Sequence, residues 1–194
     1  MPIAKKLIKF LSKIKYEPIS HRTVYTAFDK AKTLRVPEKI VGKTLVVKMD
    51  GNFALVLIPA NKILDIKKFL KTANSWQKQR IIKNSHGRIR PEQIPSGLYG
   101  AGISRGQRPS ERFSHAEFAS EVWMKKNLKG VKVGAIPPLG DLWGLSTFVE
   151  KSLIDQPKIV INGGDYNSSI KIGSASLKKL IPDLVIGSFG KTRK

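Results

Sequence analysis

The chain has 194 residues, 41% of them hydrophobic, a size and apolar share that suit one folded domain with its own core and exclude wholesale disorder. Lys and Arg total 36 against 14 Asp and Glu, and the formal charge of +22 points to a polyanionic partner such as nucleic acid. There is no cysteine, so disulfide scaffolds and thiol catalysis lack their raw material, and the three histidines, His21, His86 and His115, are not at metal-ligand spacing, which disfavours a metal hydrolase.

In chain order, Leu7, Ile8, Leu11 and Ile14 recur at helical spacing between lysines, which predicts an N-terminal helix packed by its apolar stripe. The same pattern suits a basic helix lying on a membrane surface. No run approaches the ~18–20 apolar residues of a membrane span, and the start lacks a signal-peptide pattern, so the expectation is a cytoplasmic protein with no membrane partner. Tyr16 to His21 reads as extended around Pro18, and Ala27, Ala31 and Leu34 suggest a second helix over 26–34. Thr44–Met49 and Phe53–Ile58 are apolar runs across Asp50-Gly51-Asn52, a turn composition that accepts positive φ, so a β-hairpin is predicted. Lys43 stands at its mouth, where a cation can lean over a pocket and meet a phosphate or carboxylate. Ile63, Ile66, Phe69 and Leu70 then predict a helix.

From about residue 71 to 114 the chain turns rich in Gly, Pro and basic residues and reads as a surface insertion. Arg88, Arg90, Arg105 and Arg108 are its candidate RNA contacts, with Trp76 and Tyr99 available for stacking. Ser114 followed by Glu117 has the form of a capping box and predicts a helix to Gly130, with Phe118, Val122 and Leu128 inward. Strands are expected at 145–149, 158–161, 169–172 and 184–186, a short helix at 174–180, and a frayed basic tail from Gly190. The sum is an α+β fold in a single domain over 1–194.

Gly42-Lys43-Thr44-Leu45-Val46-Val47, Phe53 to Pro59 and Leu64 to Lys68, then Val133-Gly-Ala-Ile-Pro-Pro-Leu-Gly140, Phe148 to Leu153 and Val160-Ile-Asn-Gly-Gly164, resemble in order the blocks of the YbaK/prolyl-tRNA synthetase-associated editing domain. The resemblance spans most of the chain outside 71–114. It implies a curved, barrel-like mixed sheet with flanking helices, and a trans-acting deacylase that hydrolyses the ester of mischarged aminoacyl-tRNA. It also implies transient association with an aminoacyl-tRNA synthetase. The family's lysine falls on Lys43, with Thr44 beside it. Its Gly-x-x-x-Pro loop falls on Gly134, Ala135, Ile136, Pro137 and Pro138. Its substrate-facing turn falls near Asn162, Gly163 and Gly164. No cofactor or metal is implied.

Ester hydrolysis needs an attacking water, a proton acceptor and oxyanion donors. No Gly-x-Ser-x-Gly elbow is present and no histidine has an evident nucleophile partner, so the backbone amides of Gly134, Ala135 and Ile136 are the candidate donors. An unperturbed lysine is protonated at neutral pH, which makes Lys43 an anchor for the terminal phosphate or aminoacyl moiety rather than a base. A second reading keeps the fold as a non-catalytic RNA- or tRNA-binding protein.

Overall fold

A computed structural model describes residues 5–86 and 112–192. Arg88, Arg90, Arg105 and Arg108, and Tyr99, lie outside the described residues.

The hairpin organises the chain. Strands β2 (Gly42–Met49) and β3 (Asn52–Pro59) pair antiparallel in full register from Gly42 opposite Pro59 to Met49 opposite Asn52. The turn between them puts Asp50 and Gly51 at positive φ, 43° and 88°, the region that favours Asp and Gly over bulkier residues. Strand β3 is almost wholly apolar because both its faces are covered. It lies parallel to β6 (Ser146–Glu150), which lies parallel to β9 (Val185–Gly187). A short strand β5 (Ala116–Phe118) completes the other edge on β2, giving a five-stranded mixed sheet ordered β5-β2-β3-β6-β9.

Strands β1 (Tyr16–Ser20), β7 (Lys158–Asn162) and β8 (Ser168–Gly173) form an antiparallel sheet ordered β1-β8-β7, joined to the first where Val41 bridges Val160. A third pair joins β4 (Lys62–Leu64) to β10 (Gly190–Thr192). Helix α1 (Lys5–Leu11) buries Leu7 and Leu11 against Leu139, Leu153, Ile161 and Ile170. Helix α2 (Ala27–Leu34) sets Ala31 on Val41 and Val160. Helix α6 (Ser174–Leu180) adds Leu177 and Leu180 to the core shared with α1. Helix α5 (Lys151–Ile154) supplies Leu153 to the same core. The architecture is thus α+β, with helices flanking one mixed sheet and two antiparallel ones. Among the described residues no helix is long and apolar enough to cross a membrane.

Three sequence expectations are corrected. Helix α3 runs from Ile66 to His86, well past Leu70. The stretch beyond Leu70 is rich in helix formers and meets no Pro or Gly before Gly87. Phe69, Ala73 and Trp76 continue its buried stripe onto Phe148. Second, Ser114 caps no helix. Its N–H donates to Asp50 Oδ2 at 2.6 Å, the chain continues as β5, and α4 (Glu121–Asn127) is capped instead by Ser120, which accepts from the Trp123 N–H. Phe118 and Val122 accordingly face outward, 60% and 78% exposed, and only Leu128 is buried. Third, residues 190–192 are an ordered strand, because the Glu150 carboxylate accepts from the Phe189 and Gly190 N–H groups at 2.7 and 2.6 Å.

Candidate functional site

Three regular elements and the irregular stretches beside them meet at one cavity of about 290 Å³. From α2 come its N-terminal approach, Val24 to Phe28, and Lys30. The start of β2 brings Lys43 and Thr44, the loop before β6 brings Gly134 and Ala135, and the end of β7 brings Asn162, followed by Asp165 and Tyr166. Thr26 fixes the entry to α2: its Oγ1 accepts from the Asp29 N–H at 3.0 Å and donates to Asp29 Oδ2 at 2.7 Å.

The loop and the turn after β7 are clamped together. Gly164 N–H donates to the Ala135 carbonyl at 3.0 Å and Lys132 N–H to the Gly164 carbonyl at 2.9 Å. The Tyr166 hydroxyl donates to the Val133 carbonyl at 2.6 Å. Gly134 takes φ 88°, a conformation in which a side chain would be strained. At Gly163 a Cβ would come within 2.4 Å of Ser168 Oγ, so this turn needs the bare backbone. Tyr25, 72% exposed, leans on Tyr166 at 4.9 Å between ring centroids and forms the rim.

Of the residues singled out from sequence, Lys43, Thr44, Gly134, Ala135 and Asn162 line this cavity together. Ile136, Pro137 and Pro138 are buried and are not among its lining residues, nor are Gly163 and Gly164. Ile136 takes part through its carbonyl, which accepts from Asn162 Nδ2 at 3.2 Å. Lys43 Nζ lies 3.4 Å from the Ala60 carbonyl. The Thr44 hydroxyl is buried and has no hydrogen-bond partner among the described residues. The Ala135 N–H, a candidate oxyanion donor, is committed to the Lys132 carbonyl at 3.0 Å. His21 sits elsewhere, its ring bridging Ser169 Oγ and the Arg22 carbonyl.

Lys30 is the residue that sequence reasoning missed. It is 5% exposed, and its amine donates to Asn162 Oδ1 at 2.5 Å. Burial lowers its pKa to about 8. A signal was available: Lys30 lies at i+3 from Ala27 and i−4 from Leu34, on the apolar stripe of α2. Lys30 to Asn162 to Ile136 is therefore one hydrogen-bonded chain joining α2, β7 and the 134–138 loop.

A family model described as an aminoacyl-tRNA editing domain matches residues 21–86 and 111–180. No curated protein matches the chain. Solved structures share its fold at low identity. The crystal structure of a hypothetical protein is 17% identical at a TM-score of 0.69, over 96% of this chain and 100% of that one. A candidate trans-editing enzyme for prolyl tRNA synthetase is 16% identical at a TM-score of 0.64, over 98% of each. A structure from epitope grafting onto scaffold proteins is 15% identical at 0.65, over 100% of this chain and 99% of that one.

Proposed function

Because the chain belongs to the aminoacyl-tRNA editing domain family, we propose that it hydrolyses, in trans, the ester that joins a wrongly attached amino acid to the 3′ adenosine of tRNA. The observation that carries this reading is one cavity bounded by Lys43, the Gly134–Ala135 turn and Asn162, residues far apart in sequence. We read the five- and three-stranded sheets, joined at Val41 and Val160, as one barrel-like curved wall around it.

In this reading Lys43 anchors the terminal phosphate or the aminoacyl moiety. The Thr44 hydroxyl and the Asn162 side chain hold the substrate against the loop. Water attacks the carbonyl carbon and gives its proton to the ribose hydroxyl or amine of the substrate itself. The tetrahedral oxyanion lies against the loop, with Gly134 as the donor on the lining now that the Ala135 amide is engaged. The intermediate then collapses, the C–O bond breaks, the adenosine 3′ oxygen takes a proton, and the free amino acid leaves. A rigid, clamped turn suits this role because preorganised dipoles need not reorient during reaction.

The positive charge of +22 supports phosphate contacts along tRNA, with Arg88, Arg90, Arg105 and Arg108 as proposed contributors. Work on aminoacyl-tRNA in the cytoplasm, in transient contact with a synthetase, is part of the same proposal. The test is amino-acid release from a panel of mischarged tRNAs by the wild type and by Lys43→Ala. We expect at least a ~100-fold loss in the variant, the scale on which removal of one transition-state contact is felt, with an unchanged melting temperature. Retention of tRNA without release by the wild type supports the binding-only reading instead.

A further inference from the structure

Lys30 has no part in the reaction just described, yet the residue lines the cavity and its amine bonds Asn162, which lines it too. An ammonium carries three donors, and the hydrogen bond it makes among the described residues goes to the neutral Asn162 amide oxygen at 2.5 Å. None of the described ion pairs includes it. A buried cation without a facing carboxylate is costly, and a ligand that brings an acceptor removes that cost.

Depth separates the two lysines of the cavity. Lys43 is partly exposed at the strand entrance, whereas Lys30 is 5% exposed. A bulky, hydrated phosphodiester can reach the outer amine. At about 290 Å³ the cavity lies at the small end of ligand sites, a size for an amino-acid side chain beside the inner one.

We propose that Lys30 determines which aminoacyl group is removed: its amine receives an oxygen acceptor on the substrate's side chain, a carboxylate above a hydroxyl and a hydroxyl above an alkyl group. This rests on the deacylase reading and names its substrate class. The physical basis is the asymmetry of polar recognition, since a site built to hydrogen-bond a substrate group strongly rejects the analogue that lacks it.

The amine also gives the preference a pH signature. The titratable groups that share the cavity lining with it are Lys43 on β2, Tyr25 at the entry to α2, and Asp165 and Tyr166 after β7, and Asp29 is bonded to the lining residue Thr26. Asp29 and Asp165 are occupied by local hydrogen bonds, to Thr26 and to the Tyr166 N–H. Desolvation alone sets the lowered pKa of about 8. Loss of the proton above that pH weakens the attraction for a carboxylate, and a bound carboxylate raises the titration midpoint.

The experiment uses one tRNA charged in turn with aspartate, leucine, serine and α-aminobutyrate, two pairs matched approximately in shape. Expected at pH 7 is a kcat/KM at least ~10-fold higher for aspartate than leucine, with serine ahead of α-aminobutyrate by a smaller factor. The aspartyl profile falls as pH rises through about 8; the leucyl profile lacks that limb. Lys30→Met brings the aspartate-to-leucine ratio toward one. Equal wild-type rates across each pair, or an unchanged ratio in the folded variant, overturn the assignment to Lys30 and leave the deacylase reading standing. No release from any substrate overturns both. Should Lys30→Met fail to fold, the Lys30 amine is titrated by NMR in the wild type with and without a non-hydrolysable aspartyl-adenosine amide. An upward shift supports the proposal, and an unmoved midpoint overturns it.

Discussion

Two buried charges in this molecule are treated in opposite ways. Glu150, at the end of β6, is 2% exposed and its carboxylate is surrounded by donors. Lys62 Nζ lies at 2.9 Å, the Phe189 and Gly190 N–H groups at 2.7 and 2.6 Å, and the Ser152 hydroxyl at 3.3 Å. Burial pushes the Glu150 carboxyl up, but these donors outweigh it and hold the group below its ordinary value. Lys30 is buried almost as deeply and meets one neutral amide oxygen. The difference separates a structural charge, which holds β4, β6 and β10 together, from a charge on the wall of a cavity.

Glu150→Ala removes the structural member of this pair of charges. It strands Lys62 and two backbone N–H groups, and removing one member of a buried ionic network costs about 3–5 kcal/mol. A large fall in melting temperature and early protection loss in β10 by hydrogen exchange are expected. A loss under ~1 kcal/mol would place Glu150 among ordinary surface charges. Because its folded-state pKa is depressed, its contribution is present at neutral pH and is lost as pH falls through the folded-state value.

Lys30→Met tests the other half, with the opposite sign. The folded-state pKa, lowered from 10.5 to about 8, means that the unfolded chain holds this proton over a pH range where the native chain does not. Native stability therefore rises with pH between those values, and the cost of burying the charge is fully present below about 8. That cost is about 3 kcal/mol; after loss of one hydrogen bond worth ~1 kcal/mol, the variant should be more stable than the wild type at pH 7. The advantage should shrink as pH is raised to 10 in paired thermal melts. A variant less stable at every pH would show that the Asn162 hydrogen bond outweighs desolvation.

Thr26→Ala should have the smallest effect. It removes the cap of the helix that carries Lys30, for about 1 kcal/mol. If the lining of the cavity depends on how α2 enters it, deacylation should fall more than this stability loss explains. Proportional losses would assign Thr26 to the helix alone.

Much of the fold was legible in the residues. The hairpin from Gly42 to Pro59 follows from two apolar runs and a turn composition that accepts positive φ. Helix α2 follows from its 3–4 spacing. The failures came where a distant partner overrode a local pattern. Ser114 and Glu117 have the form of a cap, yet Asp50, in the hairpin turn, captures Ser114, and Lys48 pairs with Glu117 across strands at 3.0 Å. The tail from Gly190 looks frayed, but a glutamate 40 residues earlier holds it. Lys43 and the Gly134 loop were each visible from their residue types and order. Lys30 was hidden because a single lysine on an apolar stripe has the same composition whether its amine reaches water or stays buried.

Local order was decided by the sequence itself where no distant partner intervened: that the runs 44–49 and 53–58 pair, that residues 50–52 can turn, and that helix α2 exists. These follow from nearest-neighbour sterics, periodicity and composition. Tertiary structure alone decided which side chains share the cavity and which charges keep a partner. Residues 30, 43, 134 and 162 meet through long-range packing, and the fate of a buried charge depends on whichever group the fold sets within about 3 Å of it.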